Sequence, residues 1–395
     1  MTESARAPKS LLNLPFVLVI ISVFFFFFNF HSFLLLPLRI KELGGTESDI
    51  GFITGIMWLS TLFSTLAVGV LVDRVGRRWF LAIGGLVMAL TTLPFAYMTE
   101  LYPFFPLLRV AHGAAFSLCF VSAGVLTADL TPASKRSQAL GIFGAFTIVN
   151  YALAPFVGNM LIQAVGFEGF FLFVFAFGLL SFIIAAFVNE PSLSKFGGTE
   201  GTILGTLGRR GVGIAAAALL ISGSGFIPAL NFLPVYSVDI GLDRFDVFFI
   251  SYTCAVLAVR VFGGWIPDRF GKKRAAVPSM LLFALSIIGL GLVTRTIEFI
   301  PLGVLFGISH GLAYPSVYAL VIDLAEEGER GKAFSICSMS FSVGGMFGSF
   351  AYGYVAEYWG YMLMYILAGM VCLFGFALFG LFGRERADFN AALGN

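Results

Sequence analysis

Stretches of about 20 apolar residues, each long enough to cross roughly 30 Å of hydrocarbon, recur from Phe16 to near Phe382. Short polar connections separate them and give twelve expected spans: 15–38, 48–71, 79–98, 102–128, 137–165, 167–188, 212–238, 245–267, 275–294, 297–322, 331–356 and 360–383. Runs that are apolar throughout exclude a closed β-barrel, whose strands alternate apolar and polar residues. A hydrophobic share of 58% against a charged share of 12% leaves too little polar surface to wrap a soluble core. The expected fold class is an all-α membrane protein with twelve transmembrane helices. The first stretch exceeds the core of a signal peptide, and Leu36-Pro37-Leu38-Arg39 does not look like a small-residue cleavage site, so it is read as a helix. Cys119, Cys254, Cys337 and Cys372 fall inside spans without metal-ligand spacing; they read as small packing residues, with no metal and no cofactor expected.

Basic residues set the orientation, because they resist translocation and collect on the cytoplasmic side. With the N-terminus inside, eighteen Lys and Arg lie on the inner side and four (Arg39, Lys41, Arg244, Arg295) on the outer, with Arg109 and Arg260 within spans. An even number of spans then puts both termini in the cytoplasm. The net charge of +2 conceals this asymmetry and implies no nucleic-acid partner; the bilayer is the partner.

The chain repeats itself. Gly69-Val-Leu-Val-Asp73-Arg74-Val-Gly76-Arg77-Arg78, after the second span, returns 195 residues later as Gly264-Trp-Ile-Pro-Asp268-Arg269-Phe-Gly271-Lys272-Lys273, after the eighth. Likewise Asp129 to Arg136, after the fourth span, returns 194 residues later as Asp323 to Arg330, after the tenth. Between the copies lies a polar stretch with Pro191 and Gly197-Gly198, too polar to span. The expected organisation is therefore two pseudo-symmetric six-helix bundles, 1–188 and 212–395, joined by a cytoplasmic linker at 189–211. Thr202–Arg210 is open to two readings, a short helix on the membrane surface or an irregular tether. Two parallel copies are related by an axis along the membrane normal, and a cavity at their seam is the expected binding site.

The Asp-Arg-x-Gly-Arg-Arg loop and its second copy resemble the signature loop of the major facilitator superfamily, over essentially the whole chain. The resemblance implies alternating access, with the loops acting as a cytoplasmic latch that stabilises the outward-open state. The latch candidates are Gly69, Asp73, Arg74, Gly76, Arg77, Arg78, Asp129, Arg136, Arg260, Asp268, Arg269, Gly271, Asp323 and Arg330. On physical grounds Gly69 and Gly264 would allow close helix approach, Gly76 and Gly271 a tight turn, and Asp73 or Asp268 a helix cap or an ion pair. Arg109-Val-Ala-His112-Gly113 resembles the family's intramembrane arginine motif, associated with proton-coupled members. A guanidinium cannot readily lose its proton, so Arg109 needs partners inside the bundle; the competing reading is an arginine that snorkels to the outer interface. Gly141-x-x-Gly144 with Ala154-Pro155-x-x-Gly158 resembles, with Ala154 in place of a glycine, the proline kink of antiporters and favours export. Together with Ser309-His310-Gly311, these features are similar to those of the bacterial efflux-permease-like, drug:proton antiporter-like branch.

Every carboxylate falls in a loop, a tail or a helix end, whereas all three histidines, His31, His112 and His310, lie within spans. Histidine titrates near physiological pH, so His31 or His112, near Arg109, is the expected proton carrier, the alternative being neutral imidazoles bonded to neighbouring helices. Arg260 snorkels or joins the latch in this reading. Asn29, Asn150, Ser224, Asn231, Tyr236 and Tyr314 complete the expected cavity set, and the 47 phenylalanines suit an amphipathic cargo where they wall a cavity. The expected function is a monomeric, proton-coupled secondary exporter of small amphipathic molecules in the bacterial inner membrane, with a nutrient importer as the alternative. An enzyme is not expected, since no His-Glu-x-x-His or Gly-x-Ser-x-Gly set occurs, nor is an ATP-driven pump, since the phosphate-binding Gly-x-x-x-x-Gly-Lys-Ser/Thr loop is missing.

Overall fold

A computed structural model describes residues 10–190, 207, 210–325 and 330–383, without the side chains of residues 70, 72–75, 133, 210, 330 and 331. The expectations for Asp73, Arg74, Arg330 and the stretch Thr202–Arg210 therefore lie outside the described residues. What is described is helical: α1 (Leu14–Ser32), α2 (Leu36–Glu42), α3 (Glu47–Val75), α4 (Arg77–Thr92), α5 (Phe104–Asp129), α6 (Arg136–Ile148), α7 (Asn150–Ala186), α8 (Arg210–Asp239), α9 (Asp246–Phe262), α10 (Ile266–Phe270), α11 (Lys272–Leu290), α12 (Phe299–Leu324) and α13 (Arg330–Phe382).

Two apolar stretches, 136–186 and 332–382, run for 51 residues each. At 1.5 Å per residue that is about 75 Å, far more than one crossing needs. Each turns on a glycine in the left-handed region, Gly166 (φ 69°) and Gly360 (φ 84°), a conformation a Cβ would disfavour. Counted as two crossings apiece, and with the 17-residue α9 as one more, the described helices accommodate the twelve expected spans. Many large apolar side chains face outward, among them Phe262 at 77% and Leu381 at 76% exposure. In water such a surface would aggregate; against lipid it is at home.

The helices gather into two compact units. In the first, α1 supplies Phe16, Val19, Val23 and Phe26 to a core shared with Leu81 and Met88 of α4 and Cys119 and Leu126 of α5. In the second, Val212 and Leu219 of α8 pack with Met280 of α11, Val321 of α12 and Cys337 of α13. The second unit also takes in Gly45–Trp58, so α3 contributes its first turns there and joins the first unit from Leu59 onward. Within that second unit a Cβ on Gly51 would stand 2.3 Å from the Ser349 carbonyl oxygen, and one on Gly353 only 2.7 Å from that of Glu47, so only glycines permit the approach. Tyr361 donates its hydroxyl to Glu47 across the same contact (2.7 Å).

Several sequence expectations need correction. Gly69 does not mediate close approach: a Cβ there would meet nothing within 4 Å, and one on Gly264 would meet only the Arg260 carbonyl one turn back. The close approaches fall instead on Gly303, Gly307 and Gly311 of α12, where a Cβ would press on Phe248, Tyr252 and Val259 of α9 at 2.7, 2.4 and 2.9 Å. Asp268 caps no helix, being exposed on α10, while α11 begins at Gly271 without a side-chain cap. Cys254 is exposed rather than packed. Pro155 lies inside α7, and a Cβ on Gly158 would press on Leu35 and Phe170. Gly76 (φ 108°) and Gly271 (φ 99°) do make the tight turns.

Candidate functional site

The repeated loops are tied together by charge. Arg77, at the start of α4, pairs with Asp129 at the end of α5, and Lys272, at the start of α11, pairs with Asp323 at the end of α12. Each pair joins one repeated loop to the other within its own half. In the first half Glu190, which no local pattern marks out, accepts the Arg77 and Arg78 amide hydrogens at 2.7 and 3.2 Å and so caps α4. Arg136 donates to the Ala128 carbonyl (3.1 Å), while Arg269 lies over the rings of Trp265 and Phe270.

Within the first unit, Arg109 and His112 stand three residues apart on α5 and so share a face. Both are buried, at 4% and 0% exposure, which excludes snorkelling for Arg109. Two 3₁₀ turns bring the walls of their pocket. Phe33 follows α1 and Phe95 follows α4, and their ring centroids lie 4.3 and 5.8 Å from the His112 ring. The Arg109 guanidinium carbon is 5.2 Å from the Phe33 ring centre, a cation–π distance. Its Nη1 is 3.2 Å from His112 Nδ1. A guanidinium only donates, so Nδ1 is the acceptor and the imidazole hydrogen sits on Nε2, which is buried without a partner, as is Arg109 Nε. Among the described residues no carboxylate pairs with Arg109. His31 is buried on α1 with its ring 3.8 Å from that of Tyr151 and its Nδ1 unpartnered.

The two asparagines of this unit are held by the framework. Asn29 donates to the Val174 carbonyl (2.8 Å) and accepts from Thr92 (3.2 Å). Asn150 donates to the Phe24 and Phe146 carbonyls and keeps its Oδ1 buried and free.

The second unit contains a small cavity between α8, α11, α12 and α13, walled by Phe226, Met280, Phe283 and Phe341 and reached by His310 and Tyr314. The glycine stripe of α12 draws α9 close enough for Tyr252 Oη to stand 2.9 Å from His310 Nδ1. From Tyr314 a hydroxyl chain runs to Tyr318 (2.9 Å) and Ser338 (3.1 Å). Arg260 of α9 lies within electrostatic reach of Tyr252, Tyr314 and His310, and its Nε is buried without a partner. The remaining expected cavity residues sit elsewhere. Ser224 donates to the Ile221 carbonyl, Asn231 to that of Ile227, and Tyr236 to that of Gly291 while packing on Tyr361 and Tyr365. Tyr252 was not singled out from sequence; the available signal was the four-residue glycine spacing of Gly303, Gly307 and Gly311, which marks the helix face it packs on.

Comparisons with known proteins agree with this architecture. The staphylopine export protein of Staphylococcus aureus (strain Mu50 / ATCC 700699) is 22% identical over 383 residues, covering 92% of this chain and 95% of its own. The quinolone resistance protein NorA of the same strain is 26% identical over 166 residues, 42% of each chain. The crystal structure of a bacterial homologue of the human lysosomal transporter Spinster superposes with a TM-score of 0.76 at 14% identity, over 94% of this chain and 96% of that one. The pattern of the Major Facilitator Superfamily matches residues 18–296 and 245–392. With its paired helical units, repeated charged loops and buried intramembrane cations, the chain belongs to the Major Facilitator Superfamily, as a multi-pass transporter of small molecules.

Proposed function

We propose that this transporter is a proton-coupled secondary exporter of small amphipathic molecules, working by alternating access in the bacterial inner membrane as a monomer with both termini in the cytoplasm. The halves 1–188 and 212–395, joined by 189–211, are the moving bodies, and the Arg77–Asp129 and Lys272–Asp323 pairs belong to their cytoplasmic latches. Names of relatives that export staphylopine or confer quinolone resistance support the direction.

The observation that carries the proton coupling is the Arg109–His112 contact, buried and, among the described residues, paired with no carboxylate. His112 accepts from Arg109 at Nδ1. Adding a proton there removes the acceptor and sets two cations side by side in a site with little water, so Arg109 must leave. Protonation thus becomes a movement of a side chain in a spanning helix. His31, packed on Tyr151, is the second candidate carrier.

The test uses purified protein in liposomes loaded with a fluorescent lipophilic cation and an imposed pH gradient. His112→Gln keeps an acceptor but takes no proton. The expected result is that it retains exchange of labelled for unlabelled substrate and loses gradient-driven accumulation. Accumulation at wild-type levels in both His112→Gln and His31→Gln would reject histidine coupling, and equal movement without any gradient would reject secondary active export.

A further inference from the structure

We propose that the short helix α10, with the turn that follows it, docks an anionic phospholipid: the headgroup phosphate on Arg269 and Arg274, the glycerol and upper acyl chain against Phe262, Trp265 and Phe270. The surface lies wholly within the second unit, and it depends on neither the direction of transport nor the coupling ion.

The helices on either side, α9 and α11, each count as a crossing, so α10 between them lies at a membrane boundary. None of its five residues is buried. Phe262 is 77%, Trp265 50% and Phe270 54% exposed. Rings of this size are out of place in water, and tryptophan at a boundary settles between headgroups and hydrocarbon. Arg269 is exposed as well, with its guanidinium carbon 5.5 Å from the Trp265 ring centre and 5.6 Å from that of Phe270. A guanidinium laid on aromatic rings keeps the N–H donors of its own plane for an anion. Among the described residues no carboxylate pairs with Arg269 or with the exposed Arg274.

The duplicated loop shows that this surface is not part of the repeat. At the offset of 195, Trp265, Phe270 and Arg274 correspond to Val70, Val75 and Trp79, so two of the rings and one of the charges belong to the second copy alone. Residues 261–274 carry four basic side chains against one acid, Asp268, and a surplus remains after Asp323 takes Lys272. A phosphodiester supplies strong acceptors for both guanidinium groups, and the chains it carries cover the rings. A free phosphate ion would leave the rings in water. A zwitterionic headgroup would bring its own cation to the arginines.

The experiment follows Trp265 fluorescence in the full chain with Trp58, Trp79 and Trp359 replaced by Phe, and compares quenching by brominated phosphatidylglycerol and brominated phosphatidylcholine. Phosphatidylglycerol is expected to bind about fivefold more tightly, the scale of one juxtamembrane cation. Arg269→Gln should remove most of the preference, Arg269→Lys should keep part of it, and Arg274→Gln should lower it less. Arg295→Gln, beyond the other end of α11, should leave it unchanged. Native mass spectrometry of the unaltered chain needs no variant to fold, and it should show retention of phosphatidylglycerol over phosphatidylcholine. Equal retention would overturn the proposal. So would a preference at Trp265 that survives Arg269→Gln combined with Arg274→Gln, and so would its loss on adding millimolar inorganic phosphate, which would make the occupant a free ion.

Discussion

Each unit of this transporter holds one intramembrane arginine beside one histidine, but the two pairs are built differently. In the first unit both groups ride on α5, three residues apart, sealed under Phe33 and Phe95. In the second they come from different helices, Arg260 from α9 and His310 from α12, with Tyr252 bridging toward the histidine beside an open cavity. A pair on one helix moves together and has only itself to respond to, which suits a proton switch. A pair split across helices depends on how closely those helices pack. The fold is duplicated, and the chemistry placed in it is not.

The largest expected effect breaks this comparison at its charges. Arg109→Gln should lower gradient-driven transport by about a hundredfold, roughly 2.7 kcal/mol in the coupled step, while Arg260→Gln keeps at least about a third of the rate for a cationic substrate. Liposome flux at matched protein content checks both, and equal losses would erase the division of labour. The two ion pairs of the repeated loops should differ next. Arg77 and Asp129 are 1% and 13% exposed, whereas Lys272 and Asp323 are 22% and 45% exposed. Asp129→Asn removes the charge that faces the buried Arg77 guanidinium and should cost about 3–5 kcal/mol of stability. Asp323→Asn breaks a partly solvated pair and should cost about 0–1 kcal/mol. Thermal unfolding of both variants in the same detergent decides whether burial or symmetry governs these pairs. At the smaller end, Gly307→Ala places a Cβ 2.4 Å from the Tyr252 carbonyl oxygen and should destabilise by about 1–3 kcal/mol. Gly141→Ala meets nothing within 4 Å and should be neutral or slightly stabilising. If Gly307→Ala were equally harmless, the α9–α12 approach that seats Tyr252 against His310 would not be the tight contact described.

Much of the site was legible before any coordinates. The 195-residue recurrence located both charged loops, and the scarcity of carboxylates within spans turned attention to Arg109 and the histidines. His310 even carried a hint of its different role: the His-Gly pairs lie 198 residues apart, about one helical turn out of register with the loops, and His310 finds its arginine on a neighbouring helix. Asn29 and Tyr236 show the opposite case. A polar residue in an apolar span reads as cavity lining, yet both are satisfied by carbonyls of packed helices, and sequence alone cannot say which face of a helix meets a partner.

From the sequence by itself came the membrane, the helices and the duplication, because transfer of apolar segments into lipid and the need to satisfy every backbone group are properties of single segments and act without regard to their neighbours. Tertiary structure alone decided that Arg77 meets Asp129, that Glu190 caps α4, and that Tyr252 meets His310. Those outcomes depend on side chains that lie tens of residues apart, and on glycines that let one helix backbone lie against another. Such contacts are set by packing geometry, and no local pattern encodes them.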